Sequence, residues 1–184
     1  MLRKMMQVIS IDNVPYFSQL DNSSGTGYRE CFSSSCAMLA AFYGKVSSDD
    51  EYNFERQKYG DTTSFVAQTD CLSHSYKLSP RFNTNGTIRD IHRLIDDGTP
   101  VAVGWLHKGE VMKPYGGHWT VIVGYVNSER NATIHHDPYG EADMVNGRYL
   151  NSWNGKNIHY TNRNWLKRWS PEGLGHGYYL YCNP

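Results

Sequence analysis

The sequence predicts an α+β fold in which helices near the N-terminus pack on one side of an antiparallel β-sheet. Segments with helical periodicity occur in about the first hundred residues, and segments rich in β-branched and aromatic residues follow them. A chain of 184 residues is long enough for one well-packed core, and it contains neither an internal repeat nor a low-complexity linker. We therefore expect a single domain over residues 1–184.

The first predicted helix begins at Cys31 in the stretch RECFSSSCAMLAAFYG. Serines at positions 33–35 suit a first turn, where side-chain oxygens can accept from free backbone N–H groups. An apolar run from Cys36 to Tyr43 supplies a buried face, and Gly44 is a typical helix end. Cys31 is therefore expected where the helix dipole favours a thiolate, whereas burial raises the pKa of the Cys36 thiol. A packed, unreactive thiol is the alternative for Cys31, because free cysteines are usually buried.

Two further helices and four strands complete the predicted fold. Residues 47–60 have Ser and Asp at their start and Gly at their end, and residues 86–100 carry Thr87 and Asp90 at the spacing of a capping box. One apolar face of the later helix contains Ile88, Ile91, Leu94 and Ile95. The composition of the second half predicts strands at 100–106, 118–126, 131–137 and 177–182.

Composition and charge exclude several classes of function. Lysine plus arginine and aspartate plus glutamate number 18 each, so the net charge of zero does not favour binding to nucleic acid or to an anionic membrane. No apolar run approaches the roughly 20 residues of a membrane span, and MLRKMMQVIS has too broken an apolar part for a secretory signal. We expect cytoplasmic synthesis, with reduced thiols whose spacing lacks the C-x-x-C pair of a structural zinc site: Cys31, Cys36, Cys71 and Cys182.

A candidate general base follows from the pairing of two predicted strands. The segment VNSERN between them is loop-like, so strands 118–126 and 131–137 are expected to form a hairpin. This pairing puts His118 and Asp137 at the same end of neighbouring strands. A histidine beside a thiol can act as general base, and a carboxylate on its other ring nitrogen fixes the tautomer. His118 and Asp137 are therefore expected to act together.

Two alternatives to a catalytic histidine remain open at this point. His118 alone is consistent with a surface role or a hydrogen-bonded core role. The other alternative is a metal site built from His118, Asp137 and either His135 or His136, although strand alternation sends those two histidines to opposite faces. No metal-binding motif such as H-E-x-x-H is present. We expect no metal and no other cofactor.

Five motifs occur in order from Val14 onward: VPYFSQ, CFSSSCAMLAAFYG, DDGTPVAVGW, GGHWTVIVGY and HHDPYG. Together they resemble the C39-like peptidases of the papain-like cysteine peptidase superfamily. The resemblance implies a papain-like fold with the nucleophile at a helix N-terminus, Cys31 as that nucleophile, His118 as the base and Asp137 as the residue that orients it. Gln19 matches the glutamine that forms the oxyanion hole with the backbone N–H of the cysteine, as the developing negative charge requires.

Two departures from the family pattern concern substrate binding. The usual CGP sequence at the nucleophile is CFS here, so Phe32 replaces a glycine and is expected to narrow or cover the cleft. The spacing from Gln19 to Cys31 is longer than usual, which makes the intervening loop a candidate substrate contact. The substrate groove is expected to include Phe32, Gly117, Trp119 and Trp153.

The C-terminal segment bears on the substrate. Its aromatic residues form either a wall of the groove or a second small core: Trp153, Tyr160, Trp165 and Trp169. The pattern is similar to stand-alone members from phage and bacterial genomes, which implies a lysin-type endopeptidase that is released to act on cell-wall peptide. The alternatives are a general protein or isopeptide cysteine peptidase or amidase, and a non-catalytic wall- or glycan-binding module. In each case we expect neither nucleic acid nor membrane as a partner.

Overall fold

The fold is seen in a computed structural model that describes residues 6–128 and 130–184. Its five α-helices are α1 (Cys31–Phe42), α2 (Asp49–Arg56), α3 (Phe65–Asp70), α4 (Ile88–Asp96) and α5 (Asn162–Trp169). Its nine strands are β1 (Gln7–Ser10), β2 (Ser79–Gly86), β3 (Val101–Lys108), β4 (Tyr115–Asn127), β5 (Ala132–His136), β6 (Glu141–Asp143), β7 (Arg148–Asn151), β8 (Ile158–Thr161) and β9 (Gly177–Asn183). Residues 1–5, half of the segment assessed as a secretory signal, and Glu129 in the predicted hairpin loop lie outside the described residues.

Seven strands form one antiparallel sheet in the order β2-β9-β3-β4-β5-β8, with β1 also paired to β4. The first part of β4 pairs with β3, and its last residues pair with β1 instead. Strands β6 and β7 form a separate hairpin. The α+β class, with Cys31 at the start of a helix and an antiparallel sheet, is confirmed.

Helices cover both faces of the large sheet, whereas the sequence suggested one. Alternate residues of β3 explain this, because Ala102 joins the core under α1 and α2 while Val101 and Val103 join the core under α4 and α5. Neighbouring β4 residues divide in the same way. A strand that is buried on both faces shows a continuous apolar run instead of alternation, so the uninterrupted apolar residues of β3 and β4 were a sequence signal that both faces are covered. None of the helices described here combines the length and apolar character that crossing a membrane requires.

Agreement between the predicted and observed helices is best where end signals are strong. Thr87 and Asp90 form the expected capping box on α4, with the Thr87 N–H donating to the Asp90 carboxylate at 2.9 Å. Gly44 and Gly98 adopt φ values of +69° and +76° just beyond α1 and α4. Helix α2 is shorter than predicted at both ends, because Ser48 caps its start and it already ends at Arg56. The short or half-exposed elements were not predicted: α3, α5, β1, β2, β6, β7 and β8.

The serines of α1 do not cap it, contrary to expectation. The hydroxyl of Ser33 lies 2.7 Å from that of Thr62, and the hydroxyl of Ser34 donates to the Asp49 carboxylate at 2.7 Å. Both serines are fully buried and lie after Cys31. Because the helix begins at the cysteine, the two serines lie inside it and not at its cap. Their hydroxyls bond to neighbouring elements and so fix the position of the helix N-terminus.

Arg168 on α5 is fully buried, and its guanidinium is satisfied by backbone carbonyls. It donates to Met144 at 2.8 Å, to Leu106 at 3.0 Å and to Gly109 at 2.7 Å. Replacing Arg168 by methionine is expected to lower the free energy of unfolding by about 2–4 kcal/mol, because several buried carbonyls lose their donor. Urea denaturation measures this loss, and Arg163→Met on the exposed side of the same helix is the control. Equal stability of the two variants would contradict the prediction.

Candidate active site

Cys31 stands at the N-terminus of α1 and lines a cavity of about 740 Å³. Its side chain is partly exposed, whereas Cys36, Cys71 and Cys182 are buried. Burial raises the pKa of Cys36 well above its ordinary value, and it raises the pKa values of Cys71 and Cys182 to about 12. Of the four thiols, Cys31 is therefore the one placed to meet a substrate.

His118 on β4 and the carboxylate of Asp137, just beyond β5, form a buried pair. The His118 Nε2 donates to the Asp137 Oδ1 at 2.7 Å, and the side chains are 2% and 0% exposed. The hairpin of β4 and β5, with Val121 opposite His136, produces this juxtaposition. His118 also lines the cavity with Cys31, and the sulfur of Cys31 is one of the groups that raise the pKa of His118.

Opposing effects set the charge of His118. Burial lowers its pKa, but the Asp137 carboxylate and the sulfur of Cys31 raise it, and the result is a rise from 6.5 to about 10. The imidazole is therefore protonated at neutral pH. An imidazolium beside a thiol stabilises the thiolate, which is the nucleophilic form.

Asp137 is held from several directions. Its Oδ2 accepts from the Tyr160 hydroxyl at 2.9 Å, and its Oδ1 accepts from the backbone N–H of Tyr139 at 3.0 Å. The backbone N–H of Asp137 donates to Gly155 at 2.8 Å, while its carbonyl accepts from the Tyr16 hydroxyl at 3.1 Å. Burial and the Asp137 charge raise the pKa of Tyr160 well above its ordinary value, so its hydroxyl remains a donor. These contacts fix the carboxylate that positions the histidine.

Aromatic side chains that the sequence analysis did not identify surround His118. Trp105, opposite it in the β3–β4 register, meets it edge-on with ring centroids 5.4 Å apart. His107 stacks on it at 4.9 Å, and the Tyr149 hydroxyl lies 3.3 Å from the His107 Nδ1. Burial and the positive charge of His118 lower the pKa of His107 to about 3, so its ring is neutral. Only the strand register could have identified these neighbours from the sequence.

Gln19 lies in a 3₁₀ turn, where it is 1% exposed, and it lines the same cavity as Cys31. Its Nε2 donates to the Gly27 carbonyl at 2.7 Å, and its backbone N–H donates to Pro138 at 2.9 Å. The bond to Gly27 uses one of the two amide hydrogens, so the other is available to a further acceptor. Free backbone N–H groups at the start of α1 lie at the same cavity.

The loop between Gln19 and Cys31 is tied to the buried carboxylate of Glu30. Asn22 donates to this carboxylate at 2.7 Å, and Thr26 donates to it at 2.7 Å. Tyr28, from the same loop, contributes to the cavity wall. The loop thus reaches the cavity, as its length suggested.

The two adjacent histidines of β5 make separate contacts. His135 lies 2.8 Å from both the Thr120 and the Thr133 hydroxyls, whereas the His136 Nε2 lies 3.1 Å from the Val14 carbonyl oxygen. Within residues 6–128 and 130–184, no group of three His, Cys, Asp or Glu side chains is arranged to hold a metal ion. Both histidines are therefore occupied as hydrogen-bonded core residues.

Comparison with protein families agrees with the motifs. The model of the Peptidase_C39 like family matches residues 11–166. The chain belongs to the Peptidase_C39 like family. The resemblance seen in the sequence is thereby confirmed. No curated protein matches the C39-like chain.

Two solved structures are similar to the C39-like chain. One is of a protein assigned as a C39-like peptidase from Bacillus anthracis, with a TM-score of 0.66, 12% identity, and coverage of 97% of this chain and 98% of that one. The other is UfSP from C. elegans, with a TM-score of 0.49, 14% identity, and coverage of 96% of this chain and 34% of that one. At 12% identity, the first similarity establishes the fold alone.

The expected groove residues of the C39-like chain divide into two sets. Phe32 and Trp119 stack with ring centroids 3.8 Å apart, and both line the cavity together with Gly117. Trp153 is 83% exposed and is not among the residues that line it. The other aromatic residues considered for a groove wall are buried in the core: Tyr160, Trp165 and Trp169. The stacked pair thus forms part of the cavity wall, and narrowing of the cleft by Phe32 stays a prediction.

Gly104 permits the position of Trp119, which lies opposite it in the β3–β4 register. A Cβ at Gly104 would lie 2.8 Å from the Trp119 ring. Gly104→Ala is therefore expected to displace the indole from Phe32 and to destabilise the fold by about 1–3 kcal/mol. Near-ultraviolet circular dichroism and urea denaturation measure the two effects. Gly117→Ala is the control, since its Cβ meets nothing within 4 Å, and equal effects of both variants would refute the steric explanation.

Proposed function

We propose that this C39-like chain is a cysteine peptidase that hydrolyses amide bonds through an acyl-enzyme, with Cys31, His118 and Asp137 as its catalytic residues. One observation carries the proposal: the partly exposed thiol of Cys31 shares a cavity with a buried His118 that is hydrogen-bonded to Asp137 and whose pKa is raised to about 10. A thiolate–imidazolium pair supplies both a nucleophile and a proton for the leaving group.

The reaction proceeds in two halves. The thiolate of Cys31 attacks the carbonyl carbon, and the electron pair of the C=O bond moves to oxygen. The backbone N–H of Cys31 and the second amide hydrogen of Gln19 donate to this oxyanion. When the C–N bond breaks, His118 gives its proton to the departing amine and a thioester remains. His118 then takes a proton from water, the resulting hydroxide equivalent attacks the thioester, and the acid product leaves with the thiolate restored.

For the substrate we propose the peptide part of peptidoglycan, so that the protein acts as a lysin-type endopeptidase. Wall peptides are short and carry free carboxylates. The cavity beside Cys31 has tyrosines and cationic residues in its wall. A general protein or isopeptide peptidase with the same catalytic residues is the alternative, because the geometry at Cys31 does not depend on the polymer. A wall-binding module would require none of this chemistry.

Fragment release from purified peptidoglycan tests the proposal. Walls of several cross-link types are incubated with the wild type and with Cys31→Ala, and new amino termini are identified by mass spectrometry. Fragments that depend on Cys31 would establish a wall peptidase. Rapid alkylation of Cys31 with no release from any wall would leave a cysteine peptidase with another substrate. Neither release nor a reactive thiol would favour a binding module.

A further inference from the structure

The cavity beside Cys31 has an uneven distribution of charge. Three cationic side chains line it: Arg29, Lys108 and Arg148. None of the described residues in its wall is Asp or Glu. A cavity wall with one sign of charge attracts ligand groups of the opposite sign.

The ion pairs that these cations form within the protein are weak enough to leave the cations able to bind a ligand. Arg29 contacts Asp61 at 3.0 Å and Arg148 contacts Asp143 at 3.7 Å, but both arginine side chains are well exposed, at 43% and 74%. Exposed ion pairs of this kind are weak, so a substrate carboxylate can compete for the guanidinium groups. Within the described part of the chain, Lys108 has no carboxylate within 4.0 Å. Lys108 is therefore the cation most available to a ligand.

A second cavity, of about 590 Å³, adjoins the first and contains side chains of both charges. The two share Gly117, His118 and Trp119. Arg168 reaches the second cavity, but its guanidinium is occupied by backbone carbonyls, whereas the exposed Glu172 presents a carboxylate there. A chain that passes over His118 therefore moves from a wall with three cationic side chains and no carboxylate to one in which Glu172 offsets the charge of Arg168.

We propose that the cleft selects peptides with a carboxylate on one side of the scissile bond, bound in the first cavity by Lys108 and Arg148, and that this preference is absent on the other side. The proposal rests on the peptidase function given above and names the substrate class for it. Two tyrosines of the first cavity, Tyr28 and Tyr115, are 72% and 62% exposed. They are placed to contact the uncharged part of a bound peptide.

A synthetic peptide library tests this specificity. It represents Glu, Ala and Lys equally at three positions on each side of many bonds, and products are sequenced by mass spectrometry. For wild type, Glu is expected to be enriched about fivefold over Lys on one side only, the discrimination that one exposed ion pair provides. Lys108→Glu combined with Arg148→Glu is expected to remove or invert that preference. Lys45→Glu, which changes an exposed lysine distant from both cavities, is expected to retain it.

A binding measurement separates failure of this inference from failure of the proposed function. Cys31→Ala is titrated with fluorescent peptides that differ only in Glu or Lys, at low and high salt. Tighter binding of the Glu peptide, weakened by salt and by Lys108→Glu, supports the inference even if no bond is cleaved. Cys31-dependent cleavage without a Glu preference, or a preference that survives the charge reversals, overturns it and leaves the peptidase intact. Absence of cleavage together with charge-independent binding overturns both.

Discussion

Replacing Cys31 by alanine is expected to lower amide hydrolysis by at least about 10⁴-fold, because among the described residues that line the cavity no other side chain carries a thiol. The thiol is partly exposed at a helix start, so its loss removes little packing. The free energy of unfolding is therefore expected to change by less than about 1 kcal/mol. Hydrolysis of an identified substrate and urea denaturation measure the two quantities. Activity retained by Cys31→Ala would exclude it as the nucleophile.

The three buried cysteines provide the matched comparison. Alkylation with iodoacetamide below pH 8, followed by peptide mapping, is expected to label Cys31 much faster than Cys36, Cys71 or Cys182, whose pKa values are raised by burial. Cys36→Ala is expected to destabilise the fold by leaving a small cavity, yet to retain rapid labelling of Cys31. Uniformly slow labelling of all four thiols would contradict an activated Cys31.

The sequence was sufficient to predict those parts of the site that depend on local signals. The apolar run from Cys36 to Tyr43, with serines 33–35 before it, predicts a helix that starts near Cys31, although the serines do not cap it. The short loop between two β-rich segments predicts a hairpin that brings His118 and Asp137 together. Both inferences use neighbours in the chain. The position of Gln19 could be assigned only through the family resemblance, because its place in the cavity depends on contacts with Gly27 and Pro138.

The residues around the pair could not be predicted, because they depend on register and on long-range packing. Tyr160 reaches Asp137 from β8, and His107 stacks on His118 from β3. A shift of one residue in either strand would turn these side chains to the opposite face. Trp153, in contrast, was expected in the groove but does not line the cavity. An aromatic residue in a polar segment gives no indication of its distance from the cleft.

Removing the charge of Asp137 is expected to have the second-largest effect on activity. Asp137→Asn keeps the shape of the side chain but removes the main attraction that keeps His118 protonated. Amide hydrolysis is expected to fall about 100-fold, at the lower end of the contribution of a general acid–base group. Asp137→Ala is expected to cost about 10³-fold, because it also removes the acceptor that orients the imidazole. Asp12→Asn, an exposed substitution, serves as control.

The pH dependence identifies the cause of that loss. In the wild type the His118 pKa is raised from 6.5 to about 10, so kcat/KM is expected to decline only as pH rises through about 10. Without the Asp137 carboxylate, burial is opposed only by Cys31, and the pKa of His118 falls. The alkaline decline of kcat/KM in Asp137→Asn is then expected at a pH at least about one unit lower than in the wild type. A shift of one pKa unit requires a loss of only about 1.4 kcal/mol of interaction energy. An unchanged alkaline limb would show that another group sets it.

The pair of His118 and Asp137 also makes the free energy of unfolding depend on pH. Because the pKa of His118 is higher in the folded chain than its ordinary 6.5, its contribution to stability is fully present below pH 6.5 and is lost as pH rises through about 10. Asp137→Ala leaves a buried histidine without its partner and is expected to cost about 3 kcal/mol near pH 6.5. That difference from wild type should shrink toward pH 10, where the wild-type imidazole also loses its proton. A pH-independent difference would instead indicate that Asp137 stabilises the fold through its bonds to Tyr160 and Tyr139, independently of the charge on His118.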